Sequence, residues 1–149
     1  QLIVCEEPTS ALDVSVQAQI LNLLRKLQQQ QNLSYLFITH NLSVVSWFAQ
    51  EVAVMYLGRI VEYGTGEEVM CSPKHPYTQA LLSAVPTVDT ESQREVIRLQ
   101  GDQGSPIDPP SGCPFHPRCP QAESRCSQQL PEQQWVSETH HATCLLLKG

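Results

Sequence analysis

The chain has 149 residues, 41% of them apolar, and a formal net charge of −6, enough for one modest domain or for a piece of a larger one with a tail. The charge is spread evenly: residues 1–88 hold four Lys/Arg against seven Asp/Glu, and residues 89–149 hold five against eight. Neither part offers the basic face that a polyanion needs, so no nucleic acid is expected as a main partner. The longest apolar runs, such as Val52 to Leu57, fall far short of the roughly 20 residues of a membrane-spanning helix, so any membrane role is expected to come through a partner. No charged leader with a small-residue cleavage site opens the sequence. A cytoplasmic, reducing compartment is the expectation, and there six cysteines are more readily explained by metal or cluster binding than by disulfides.

An apolar run, Leu2-Ile3-Val4-Cys5, stops at Glu6-Glu7-Pro8, which predicts a buried strand delivering two carboxylates at its C-terminal end. Asp13 can cap a helix over 14–31, in which Val16, Ile20, Leu23, Leu24 and Leu27 share one face. A short strand over 35–38, then Thr39-His40-Asn41, then a helix over 42–50 follow. Strand, helix, strand, helix implies an α/β fold with a parallel sheet. Segments 52–57 and 59–63, joined around Gly58, read as a hairpin, and a short helix begins at Glu67. Beyond the break from Pro73 to Pro76, residues 77–85 read as a helix with Leu81 and Leu82 for packing. From Pro86 to Gly112 the chain is polar and rich in Pro, Gly and Asp; it reads as a linker with one strand at 96–99. The last segment has few apolar residues but four cysteines.

An apolar strand ending in two acids is common, and alone it says little about catalysis. The longer string Leu2-Ile3-Val4-Cys5-Glu6-Glu7-Pro8-Thr9-Ser10-Ala11-Leu12-Asp13 resembles the Walker B strand and D-loop of ABC ATPases, and Thr39-His40 resembles their switch histidine. Phosphoryl transfer from ATP to water needs a carboxylate near Mg²⁺, a group that orients the water and a donor near the γ-phosphate. Strand ends place such groups at the edge where ligands bind open α/β sheets. The resemblance implies that Glu6 holds the Mg²⁺ position through its water shell, Glu7 polarises the water and His40 contacts the γ-phosphate. Ser10 and Asp13 would belong to the D-loop, which in the family crosses to a second ATPase subunit. The family usually has Asp where this chain has Glu6, and the extra methylene moves the carboxylate in a site where Mg²⁺ tolerates little geometric error.

No Gly-x-x-x-x-Gly-Lys-Ser/Thr phosphate loop, no Leu-Ser-Gly-Gly-Gln signature and no Gln loop occurs in the sequence. In the family these precede the Walker B strand. Residues 1–149 by themselves are therefore expected to bind and hydrolyse ATP poorly.

The stretch from Ser105 to Pro120, with Gly112-Cys113-Pro114-Phe115-His116-Pro117-Arg118-Cys119 at its heart, resembles the C-terminal extension of the oligopeptide, dipeptide and nickel importer ATPases. Lys74-His75-Pro76-Tyr77-Thr78 and Leu81-Leu82-Ser83-Ala84-Val85-Pro86 add to the likeness. Cys113, Cys119, Cys126 and Cys144 are separated by five, six and seventeen residues, which fits neither a Cys-x-x-Cys zinc knuckle nor the usual ferredoxin runs. The resemblance implies a four-iron, four-sulfur (4Fe–4S) cluster on these four thiols. Zinc is the alternative occupant, with His116, His140 or His141 as a substitute ligand, and free thiols in a tail are the third. Cys5 and Cys71 read as packing residues, as do Trp47, Phe48 and Tyr77, whereas Trp135 could shield a cluster.

The whole resemblance implies the C-terminal part of a P-loop (RecA-like) ABC ATPase domain over 1–88 and a small, irregular, Cys-rich extension over 89–149. The function it implies is an energy-coupling subunit of an importer at the inner face of the cell membrane, using ATP and Mg²⁺. A second ATPase subunit and membrane permease subunits would be its partners, with an extracytoplasmic binding protein acting indirectly. The competing readings are a truncated, non-catalytic remnant whose intact module is the cysteine tail, and a soluble ABC protein of translation or DNA repair, against which the tail argues.

Overall fold

A computed structural model of the chain describes residues 1–85 and 95–147. They form two compact units, Gln1–Ala49 and Gln50–Gly149.

The first unit runs strand β1 (Leu2–Glu6), helix α1 (Val14–Gln31), strand β2 (Ser34–Ile38) and helix α2 (Leu42–Phe48). The strands pair in parallel, with Val4 opposite Leu36 and Glu6 opposite Ile38, as a helical crossover between them allows. Asp13 caps α1 by accepting from the Ser15 and Val16 amides at 3.0 and 2.9 Å, and Asn32 ends it in the left-handed region, φ 50°. Asn41 caps α2 in the same manner. Tyr35, Phe37 and Phe48 pack ring to ring, Phe37 and Phe48 with centroids 4.7 Å apart, while Trp47 lies exposed beneath the Arg25 guanidinium.

Three expectations need correction here. β1 is not buried: Leu2 and Val4 are 65% and 58% exposed. With alternating side chains and a two-stranded sheet, one face carries Val4, Leu36 and Ile38 outward, and only the other meets the aromatic residues. On α1, Leu21 is the buried residue and Leu23 is exposed, so the packing stripe is narrower than the apolar positions suggest. α2 also ends at Phe48, two residues early, where Ala49 turns extended.

The second unit begins with β3 (Glu51–Tyr56) and β4 (Arg59–Thr65), then α3 (Gly66–Cys71) and α4 (Pro76–Ser83). Leu57 and Gly58 both have positive φ, 46° and 77°, the two-residue turn whose twist matches a hairpin. Thr65 and Glu68 form a reciprocal capping box on α3. His75 caps α4, its Nδ1 accepting from the Tyr77 amide, with Pro76 in the first turn.

The cysteine-rich segment is more ordered than an irregular tail. Two short 3₁₀ turns, His116–Arg118 and Ser124–Ser127, lead to β5 (Gln133–Trp135) and β6 (His141–Thr143). These strands join the hairpin in one antiparallel sheet of order β3-β4-β6-β5. The pairing is short, Glu62 with Ala142 and Tyr63 with His141, too short for periodicity in the sequence to reveal. The strand expected over 96–99 is absent from the described residues. The expected boundary at 88/89 and part of the linker lie outside them.

Candidate functional site

In the first unit the parallel ladder ends with Glu6 opposite Ile38, and one further bond, Glu7 N–H to the Ile38 carbonyl at 2.8 Å, ties the next residue to the same edge. Glu7 then takes φ 44°, a left-handed conformation rare outside glycine. This kink ends β1 and turns the Glu7 side chain to the loop after β2. Its carboxylate accepts from the His40 backbone amide at 3.1 Å, lies 2.7 Å from His40 Nδ1, and accepts from the Thr39 hydroxyl at 3.3 Å. The His40 imidazole and amide, with the Thr39 hydroxyl, hold the Glu7 carboxyl below the usual carboxylate range, against a smaller opposing effect of burial.

Glu7 and His40, 33 residues apart in sequence, are thus brought together at one sheet edge. Glu6 stands beside them at the strand end, exposed. Ser10 closes the following turn, its hydroxyl and amide both donating to the Glu7 carbonyl. Asp13 is occupied as a cap, and the Ser15 hydroxyl with the Val16 and Ser15 amides holds its carboxyl below the usual range. Sequence reasoning named Thr39 only as the neighbour of His40; its hydroxyl also accepts from the Asn41 amide at 3.1 Å, linking Glu7 to the start of α2.

In the second unit the four cysteines of the tail gather rather than dangle. Cys113 and Cys126 are buried in a core with Tyr56, Val61 and Phe115, and Cys119 and Tyr77 pack against it. Burial raises the Cys113, Cys119 and Cys144 thiols above their ordinary value, and the neighbouring thiols add to it. All six cysteines are free. The sulfurs do not form a finished ligand set: among the described residues, no group of three or more His, Cys, Asp or Glu side chains is arranged to hold a metal ion.

Of the histidines expected as substitute ligands, His140 and His116 each have a ring nitrogen engaged elsewhere, whereas His141 Nδ1 is buried without a hydrogen-bond partner among the described residues. His140 places Nε2 2.8 Å from Glu62, His116 Nδ1 lies 2.9 Å from the Cys113 carbonyl, and His141 lies stacked on Tyr63 and edge-on to Trp135. Trp135 is 61% exposed and shields no thiol core. Glu62 itself, fully buried, also accepts from the Lys74 and His75 amides at 2.6 and 3.0 Å. Nothing in Arg59-Ile60-Val61-Glu62-Tyr63 separates such a buried carboxylate from a solvated one, so this hub had no signal in the sequence.

Residues 61–126 match the oligopeptide/dipeptide transporter, C-terminal region, family, and that span holds three of the four gathered cysteines. Residues 61–126 carry this C-terminal region. Among its relatives, the dipeptide transport ATP-binding protein DppF of Haemophilus influenzae is 54% identical over 130 residues, 87% of this chain and 40% of that protein. The di/tripeptide transport ATP-binding protein DppF of Pseudomonas aeruginosa is 49% identical over 95% of this chain and 45% of its own length. The Escherichia coli dipeptide transport ATP-binding protein DppF is 53% identical over 88% of this chain and 39% of its own. The chain therefore spans less than half the length of these relatives. Among the described residues no helix is long and apolar enough to cross a membrane.

Proposed function

We propose that this chain supplies the hydrolytic edge of an ATP-driven importer subunit for dipeptides or oligopeptides. The observation that carries the reading is the Glu7–His40 pair, 2.7 Å apart just past the ends of two neighbouring parallel strands, in a chain whose relatives are peptide transport ATP-binding proteins. On this reading Glu7, ionised and aimed by its three donors, orients and deprotonates the attacking water, and His40 meets the γ-phosphate. Glu6 faces the Mg²⁺ position, and Mg²⁺ would neutralise charge on the phosphates. Ser10 and Asp13, in the turn after Glu7, reach a second ATPase subunit. Residues 1–88 form the ATPase part and residues 89–149 the importer-type extension, with the phosphate loop supplied from outside these 149 residues.

The subunit would sit on the cytoplasmic face of the membrane against permease subunits, with a binding protein outside delivering the peptide. The test is uptake. A complete subunit containing this chain, reconstituted with its permease and binding protein, should import a labelled dipeptide with ATP, and His40→Ala should abolish import while leaving assembly intact. Import that survives His40→Ala would sink the reading.

The tail supports a second, separate proposal, because Cys113, Cys119 and Cys126 share one core, against which Leu145, the neighbour of the buried Cys144, also packs, and four such thiols make a soft, sulfur-only donor set. Cys113, Cys119, Cys126 and Cys144 would hold a 4Fe–4S cluster, or zinc in its place, once the sulfurs close to ligand distance. Iron, sulfide and zinc analysis of anaerobically purified protein decides it; a metal-free product would contradict it.

A further inference from the structure

The backbone crossing beside Cys113 is closer than any side chain would permit. Gly112 has φ 69°, and a Cβ built on it would stand 2.5 Å from the Cys126 carbonyl oxygen, 2.6 Å from the Ser127 carbonyl carbon and 2.9 Å from the Gln128 nitrogen. All three are backbone atoms, so no rotamer change relieves the contact. The crossing is fastened on both sides of Gly112. The Cys113 amide donates to the Cys126 carbonyl at 2.8 Å, and the Ser111 hydroxyl donates to the Ser127 carbonyl at 3.0 Å. Two loops that each carry a cysteine are thereby pressed together at the residues that carry them.

We infer that Gly112 is the positioning residue of the four-cysteine centre: it sets Cys113 against Cys126 and so makes one thiol site out of two loops. The inference rests on the proposal that this site takes a metal or cluster, but it concerns the chain's own geometry and can be read without one. Gly101 provides the control. It has φ 78°, and a Cβ added there would meet nothing within 4 Å, so Gly101→Ala carries the left-handed backbone strain without the collision.

The full chain, reduced and metal-free, is labelled with iodoacetamide and each cysteine is followed by peptide mass. Cys71, exposed, serves as the internal reference. Backbone strain and collision of this kind cost enough to raise local opening by about tenfold or more, so Gly112→Ala should speed labelling of Cys113 and Cys126 by about that factor, with Gly101→Ala unchanged. Equal rates in the wild-type chain and Gly112→Ala, or equal acceleration in both variants, would overturn the inference. Should Gly112→Ala fail to fold, Ser111→Ala removes one fastening bond and adds nothing; faster labelling of the same two thiols supports the role, and unchanged labelling refutes it.

A Co²⁺ titration read by thiolate-to-cobalt absorption separates the two layers. A band in the wild-type chain that weakens in Gly112→Ala supports both. No band in the wild-type chain would overturn the metal proposal alone, because the labelling rates still decide the role of Gly112.

Discussion

Glu62 on β4 and His140, 78 residues later in the chain, meet at 2.8 Å with side chains 0% and 2% exposed. Gly64 makes room for this: a Cβ there would stand 3.0 Å from the His140 ring. The same carboxylate holds the Lys74 and His75 amides, so one buried group joins β4, the loop before α4 and the strand β6 that leads to Cys144. Removing it would leave three donors unpaired. Glu62→Ala should cost the second unit about 3–5 kcal/mol, and His140→Ala about 1–3 kcal/mol through the acceptor it abandons. Urea unfolding followed by Trp135 fluorescence in a Trp47→Phe background measures both; a loss under about 1 kcal/mol for Glu62→Ala would mean the pair is solvated.

His75 gives the second unit its expected pH dependence. Burial pushes the imidazole down to about 4, against a weaker upward pull from Glu62, and its Nδ1 must stay unprotonated to cap α4. A depressed value means that the unfolded chain takes up the proton first, so stability is complete above about pH 6.5 and falls as the pH drops towards about 4. The loss across that window is about 3 kcal/mol. His75→Asn retains a capping acceptor but cannot titrate, and should flatten the curve over the same range. Glu68, held down to about 2 by the Ser137 hydroxyl, the Thr65 amide and further hydroxyl donors, adds a separate loss below about pH 4.5.

Phe115 is the aromatic centre of that unit, 5.2 Å from Tyr56, 5.4 Å from Tyr77 and 5.5 Å from His75 between ring centroids. Its burial joins the cysteine loop to the hairpin. Phe115→Ala should cost about 3–5 kcal/mol and remove most of the near-ultraviolet aromatic dichroism. Retention of that signal with little change in the unfolding midpoint would show that the ring is not central.

Helix α1 was legible to the residue, because Asp13 announces its start and a polar run its end. The Glu7–His40 meeting was legible through the motif resemblance, since two strand ends separated by a crossover must fall at one edge. The exposure of β1 was not, because an apolar run reads as buried wherever its covering layer comes from. The sheet that unites β3 and β4 with β5 and β6 was also hidden. Its last strands are three residues long, and what secures them, Glu62, Glu68, Gly64 and Gly112, are residue types common on any surface or turn.

Hydrolysis by a complete subunit containing this chain tests the central claim most directly. Measured as single-turnover ATP cleavage with Mg²⁺, Glu7→Gln should reduce the rate by about a hundredfold or more, the size of a lost general base, while ATP still binds. A Glu7→Gln protein that hydrolyses ATP at the wild-type rate would contradict the assignment of the Glu7–His40 edge as the site of chemistry.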